Sequence, residues 1–207
     1  MCHTPEPVDY PLVLVGAMPL AARQARHRIG VMSKSTLDVV EGDHVRGALA
    51  AVTTVLVYGD YECPYTRALE LALTRLRRLE PNAFRSVYRH FPLDEIHPHA
   101  QMAAEAAEAV CALGGTEAFW VMHDGLFAHQ DQLDQAGLER RGAEAGVDSA
   151  GLRAAMETGR FADRVQRDVE SGAANGVDRT PSVFINGERY RGPRDVATLR
   201  RALVPRG

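Results

Sequence analysis

Cys63-Pro64-Tyr65-Thr66 is half of a Cys-x-x-Cys pair, with a thiol at the first position and a hydroxyl at the second. In such a pair the first sulfur attacks a disulfide and the second releases the mixed disulfide that results. With Thr66 in the second place the attack is retained and the internal release is not. Attack needs a thiolate, and the flanking sequence suits one. The run 51–58 reads as a buried strand feeding the turn Gly59-Asp60, and a helical pattern starts at about Pro64. Cys63 then stands in a partly exposed turn at a helix N-terminus, where free N–H groups and the helix dipole favour negative charge.

The neighbours of Cys63 have more than one reading. The Thr66 hydroxyl either hydrogen-bonds the Cys63 thiolate or packs on the helix surface. Pro64 suits a first helical position and, with Tyr65, controls access to the sulfur. Asp60 and Glu62 read as turn and surface residues that would oppose the thiolate if they lay close. Cys111 lies in an alanine-rich helical stretch and reads as a small buried residue. It could resolve an adduct only if that stretch folded over Cys63. His90, His97, His99 and His123 supply no ligand quartet at a metal-binding spacing, so no metal is expected. Met1-Cys2-His3 could bind copper or nickel through the terminal amine, but a disordered start is the expectation.

Several elements must position this chemistry. Leu69, Leu73, Leu76 and Leu79 recur at helical spacing after Cys63, with Arg67, Glu70, Arg75 and Arg77 for the wet side. Pro81-Asn82 breaks the chain, and Phe84–His90 reads as a second strand. Strand, helix and strand in that order imply a right-handed crossover and a parallel pair. A short strand is also expected near Leu37–Val40. From His97 to about Gly176 the pattern is helical: Ala100–Leu113, a stop at Gly114-Gly115, then Glu117–Ala128, Gln135–Ala145, Ser149–Glu157 and Phe161–Ala174. Ser182–Ile185, the turn Asn186-Gly187 and Arg189–Tyr190 form a hairpin, and Val196–Leu203 closes as a helix.

Four stretches carry a resemblance: Tyr58-Gly59-Asp60-Tyr61-Glu62-Cys63-Pro64-Tyr65; Arg89-His90-Phe91-Pro92-Leu93 with His97-Pro98; Phe119-Trp120-Val121-Met122-His123-Asp124; and Thr180-Pro181-Ser182-Val183-Phe184-Ile185-Asn186-Gly187. Together they resemble the DsbA-like thioredoxin-fold family, in the subgroup of soluble bacterial DsbA-like proteins. Related domains are fused to NhaA-type sodium/proton antiporters, and Asp43-His44-Val45-Arg46-Gly47 resembles the start of such domains. The resemblance implies an α/β thioredoxin fold, a central mixed sheet with a helical insertion between its two halves. The divisions are an N-terminal arm at 1–42, a β-α-β half at 43–96, the insertion at 97–176 and a β-β-α half at 177–207. It also implies a cis-proline at Pro181, facing the cysteine and orienting the Thr180 backbone toward an extended substrate.

Two positions depart from the family. Thr66 replaces the resolving cysteine. Val57 stands where thioredoxins and many DsbA-like domains keep a buried acid, which there helps deprotonate that cysteine. An acid without that task is a costly buried charge, so the two losses are chemically linked.

Composition bounds the function. The chain has 207 residues, 45% hydrophobic and 25% charged, enough for one domain with a substantial core. Its net charge of −3 gives no reason to expect nucleic acid or an anionic membrane as partner. Lys34 is the only lysine, a composition bias in favour of arginine. Three cysteines make no disulfide framework. Glu6 and Asp9 precede the apolar run Leu12–Leu20, which is neither a secretory signal nor long enough to span a bilayer. A cytoplasmic protein with free thiols is expected. No phosphate-binding glycine motif calls for a nucleotide or flavin, so the expected co-substrate is a thiol such as glutathione or mycothiol. The leading expectation is a monothiol thiol–disulfide oxidoreductase acting on protein or small-molecule thiols and disulfides. The alternatives are a non-catalytic peptide-binding or regulatory module, and a transferase that activates a small thiol without covalent exchange.

Overall fold

The computed structural model describes residues 37–204. Most of the expected N-terminal arm, with Met1-Cys2-His3, lies outside them.

The fold is organised around β2 (Thr53–Gly59), whose apolar run is buried on both faces. Val55 and Val57 point into one core while Leu56 and Tyr58 point into another, as strand alternation requires. Helix α1 (Pro64–Leu79) crosses from β2 to β3 (Phe84–His90), which pairs with β2 in parallel. Strand β1 (His44–Gly47) lies antiparallel on the outer side of β3. On the other side of β2, β4 (Ser182–Ile185) pairs antiparallel, followed by β5 (Glu188–Tyr190). The five-stranded mixed sheet runs β1-β3-β2-β4-β5. The β4–β5 turn uses Asn186 at φ 49° and Gly187 at φ 84°, the paired left-handed conformations of a two-residue hairpin.

Between β3 and β4 the chain is helical: α2 (Ala100–Ala128), α3 (Gln135–Glu144), α4 (Ser149–Glu157) and α5 (Ala162–Ala174). The two helices expected over 100–128 run on with a break at Gly115, whose φ of 81° and ψ of −174° no helical residue adopts. Asp134 and Asp148 cap α3 and α4 by accepting from the Gly137 and Gly151 N–H groups, and Asp195 caps α6 (Val196–Leu203) in the same way. The first core joins α1, α2, α3, α4 and α6 to one sheet face, while Val169 of α5 packs on the opposite core. No helix among the described residues is long and apolar enough to cross a membrane.

Three expectations are corrected. Leu37–Val40 is not a strand, because Val40 and Asp43 close a turn in which the Asp43 carboxylate accepts from the Val40 N–H at 2.8 Å. The edge strand starts only at His44. Leu79, the last residue of α1, is exposed, and Glu70, expected on the wet side, is buried against α2.

Gly59, the last residue of β2, brings the sheet up to the cysteine. A Cβ there would lie 2.5 Å from Tyr88 Cε2 and 2.8 Å from Thr66 Cγ2. Gly59→Ala should therefore cost about 1–3 kcal/mol through overpacking, read as a lower urea midpoint at unchanged slope.

Candidate active site

Cys63 is the N-cap of α1, with φ −73° and ψ 118°, and Pro64 opens the first helical turn. No acidic residue stands in that turn. The Cys63 N–H donates to Asp60 O at 3.2 Å, and its carbonyl accepts from the Arg67 N–H at 3.1 Å, which starts the helix. The thiol points at Thr180 O, 3.5 Å from Sγ, across the space between α1 and β4. Cys63 is only 3% exposed, which corrects the partly exposed turn read from sequence. It nonetheless lines an open groove of about 420 Å³.

Asp60 departs furthest from its expected role. It is 2% exposed, and its carboxylate accepts from the Glu62 N–H at 2.8 Å, the Leu93 N–H at 3.0 Å and His97 Nδ1 at 2.7 Å. Asp60 thus ties the cysteine-bearing turn to the segment that follows β3. Glu62 adds a second tie, accepting from the His99 N–H at 2.7 Å. From beyond α2, Gln130 Nε2 donates to Tyr61 O at 2.7 Å and Cys63 O at 3.1 Å. Nothing in the sequence near Gln130 marks it for this role. Asp60 could have been suspected from its place between strand and cysteine, with His97-Pro98 downstream.

Thr66 fits neither of its two readings. It is fully buried, and its hydroxyl has no hydrogen-bond partner among the described residues, Cys63 Sγ included. Its methyl group packs under Gly59 beside Tyr88. Val57 is fully buried in the first core. The Thr180–Pro181 bond is cis. Thr180 Oγ1 is also buried without a partner among the described residues. Pro64, Tyr65, Thr180 and Pro181 all line the groove beside Cys63. Tyr65 is 72% exposed on one rim and Ile96 68% on another. Arg179 and Arg194, which the sequence did not single out, line the groove as well, and Arg194 donates to Pro181 O at 3.1 Å. Cys111 is buried in the α2 core.

The four histidines weighed from sequence fall into separate contacts. His97 holds Asp60, and the His99 backbone holds Glu62. His123 meets the Tyr61 hydroxyl at 3.1 Å through Nδ1 and Glu70 at 3.6 Å through Nε2. Burial would push the Glu70 carboxyl up, but His123 lowers it, while burial pushes His123 down. A charged Glu70 beside a neutral His123 follows at neutral pH. His90 joins His44 at Glu108, a cluster of metal-ligand types that sequence reasoning missed because its members lie on β1, β3 and α2. Nε2 of His44 and of His90 lie 2.8 and 2.9 Å from the same Glu108 oxygen, and Arg164 Nε lies 3.6 Å away. These contacts converge on one oxygen of the carboxylate, and Arg164 supplies the positive charge that a cation would bring.

The family described as Thioredoxin matches residues 39–204. The chain is 40% identical over 188 residues to the Na(+)/H(+) antiporter NhaA 3 of Salinispora tropica, covering 88% of this chain and 28% of that protein. It thus spans little more than a quarter of that relative. Among solved structures, oxidised BdbD from Bacillus subtilis aligns with a TM-score of 0.71 at 18% identity, covering 80% of this chain and 92% of that one. A thioredoxin-like oxidoreductase from Silicibacter pomeroyi aligns with a TM-score of 0.67 at 27% identity, covering 81% and 92%. The fold is the DsbA-like thioredoxin fold.

The Glu108 cluster predicts an acid response. Burial raises the Glu108 carboxyl, but His44 and then His90 hold it well below its ordinary value of 4.5. A folded-state pKa below the unfolded one gives stability that is present above pH 4.5 and lost as pH falls toward the folded value. Glu108→Gln should lower stability at pH 7 by about 1–3 kcal/mol, since His44 and His90 lose the charged acceptor they share while Arg164 keeps its pair with Asp168. It should also flatten the loss of stability below that pH, as followed by urea unfolding from pH 7 to 3.

Proposed function

The chain belongs to the thioredoxin family, and on that premise we propose that it is a thiol–disulfide oxidoreductase that works through the single thiol of Cys63. The observation that carries this reading is Cys63 Sγ at the start of α1, lining the groove and 3.5 Å from Thr180 O, with a threonine instead of a second thiol at the last place of the motif. Cys63 stands at the N-terminal end of α1, beside the N–H groups that the first turn leaves without intrahelical partners. Cys63 attacks one sulfur of a substrate disulfide, forming a mixed disulfide and expelling the other sulfur as thiolate. A second thiol from outside the chain, such as glutathione, mycothiol or a protein cysteine, then attacks the adduct and returns Cys63. Thr180 and Pro181 offer the backbone edge against which an extended substrate segment lies, and Pro64 and Tyr65 form the facing rim. The burial of Cys111 in α2 supports an external thiol over an internal one.

The Silicibacter pomeroyi neighbour, a thioredoxin-like oxidoreductase, is consistent with this reading. It invokes no cofactor beyond a low-molecular-weight thiol. A reduced Cys63 thiol suits the cytoplasm, where we place the protein. Transport is not carried over from the antiporter relative, because the chain spans only 28% of it. A second reading, a binding module without turnover, is favoured by one observation, the 3% exposure of Cys63.

Intact mass after incubation with oxidised glutathione should show one rapid adduct on the wild type that excess reduced glutathione removes, and none on Cys63→Ser. An adduct forming no faster than on an exposed control cysteine supports the module instead. Thr66→Cys should restore an internal disulfide to Cys63, so that the mixed disulfide that accumulates in the wild type releases itself without added thiol.

A further inference from the structure

The groove beside Cys63 has a charge at odds with the rest of the chain. The protein carries 27 acidic residues against 24 basic ones, yet among the described residues Arg179 and Arg194 line the groove and no carboxylate does. Asp94 and Glu95 are exposed between Leu93 and Ile96 without lining the groove, and the acids next to the two arginines in the chain are engaged. Asp178 is shared between Arg179 at 3.0 Å and Arg189 at 3.3 Å, and the Asp195 carboxylate caps α6 by accepting from the Thr198 N–H at 2.9 Å. Arg194 donates to the neutral Pro181 carbonyl. Asp60, below the groove, is fully buried and saturated by its three donors. The rim is thus cationic while Leu93, Ile96 and Tyr65 supply apolar wall. A thiol held against Cys63 would place whatever flanks its sulfur near the Arg194 guanidinium and near that of Arg179, whose Nε and Nη2 donate to the exposed Asp178 and would exchange it for a substrate carboxylate.

We propose that Arg179 and Arg194 make this groove select disulfides and thiols that carry a carboxylate near the sulfur, with a free glutathione-type tripeptide as the preferred form. The proposal rests on the reading of Cys63 as the attacking thiol. The cycle it describes removes glutathione from a mixed disulfide R–S–S–G. The Cys63 thiolate attacks the glutathione sulfur, a Cys63–S–S–G bond forms, and R–S⁻ leaves with the bonding pair and takes a proton from solvent. A second glutathione thiolate attacks that adduct, oxidised glutathione leaves, and Cys63 returns as thiolate. The sum is R–S–S–G plus glutathione giving R–SH plus oxidised glutathione. A neutral sugar-based thiol has no carboxylate to offer the two arginines and is the poorer partner.

The test is the ratio of two rate constants for adduct formation on Cys63, one with oxidised glutathione and one with the neutral bis(2-hydroxyethyl) disulfide, followed by intact mass. A faster reaction with oxidised glutathione is expected in the wild type. Arg179→Glu/Arg194→Ala should lower the ratio by about 3–10-fold, the scale of two exposed ion pairs. Raising the salt concentration should lower the wild-type ratio in the same direction without any substitution, so a variant that fails to fold does not decide the result. A ratio indifferent to salt and to both arginines overturns the proposal while leaving Cys63 as the attacking thiol. No adduct with either disulfide overturns both readings. A disulfide of an Asp-Cys-Asp peptide that reacts faster than oxidised glutathione overturns the assignment to a free tripeptide.

Discussion

One buried carboxylate, that of Asp60, accepts two backbone N–H groups and one imidazole N–H, and the geometry of the site depends on it. It joins the turn leading to Cys63, through Glu62, to the segment between β3 and α2, through Leu93 and His97. A carboxylate so enclosed is tolerable because its oxygens are met by donors, and one left unmet at that depth would cost several kcal/mol. Glu62 and Gln130 repeat the tie from other directions. The cysteine is thereby held by the insertion as well as by the sheet. That explains how a residue at the edge of a groove can be as buried as one in the core.

The C-terminal end of β3 is held by a second carboxylate. Glu108, projecting from α2, gathers His44 of β1 and His90 of β3 and lies beside Arg164 of α5. His44 also stacks on Phe119, their ring centroids 3.5 Å apart. On the other face, Asp43 and Arg89 form a two-point ion pair at 2.8 Å with both side chains 2% exposed. The Glu108 cluster joins the sheet edge to two helices, and the Asp43–Arg89 pair fastens the turn before β1 to β3. The strands bearing the site therefore cannot slide relative to the helices around it. These groups hold the frame and do not reach the groove.

The two departures from the family have a common physical setting. Val57 faces the first core, where a carboxylate would be a fully buried charge. Thr66 is buried one helical turn after Cys63 and leaves its hydroxyl unpartnered among the described residues. Its methyl group fills the space under Gly59, so its place in the structure is a packing one. What remains of the motif is a single sulfur at a helix start, facing the backbone of Thr180.

Local pattern was enough to read most of the secondary structure. The limits of α1, β3 and β4 follow from apolar periodicity, Pro64 at the helix start and Asn186-Gly187 at the hairpin, all short-range effects. Gly115 was legible as a break for the same reason. The candidate cysteine and its missing partner were legible because a four-residue motif contains both. The roles of the charged residues were not. Asp60, Glu62, Glu70 and Glu108 read as ordinary acids in the sequence, and the partners that explain their burial lie tens of residues away on other elements. Arg179 and Arg194 became groove residues only when β4 was laid beside α1. The sequence by itself determined the main strands, the helices and the reactive atom, since those depend on neighbours along the chain. The tertiary structure decided which charges are buried, which are paired and which face the thiol, because burial and hydrogen bonding are set by residues the chain brings together from a distance.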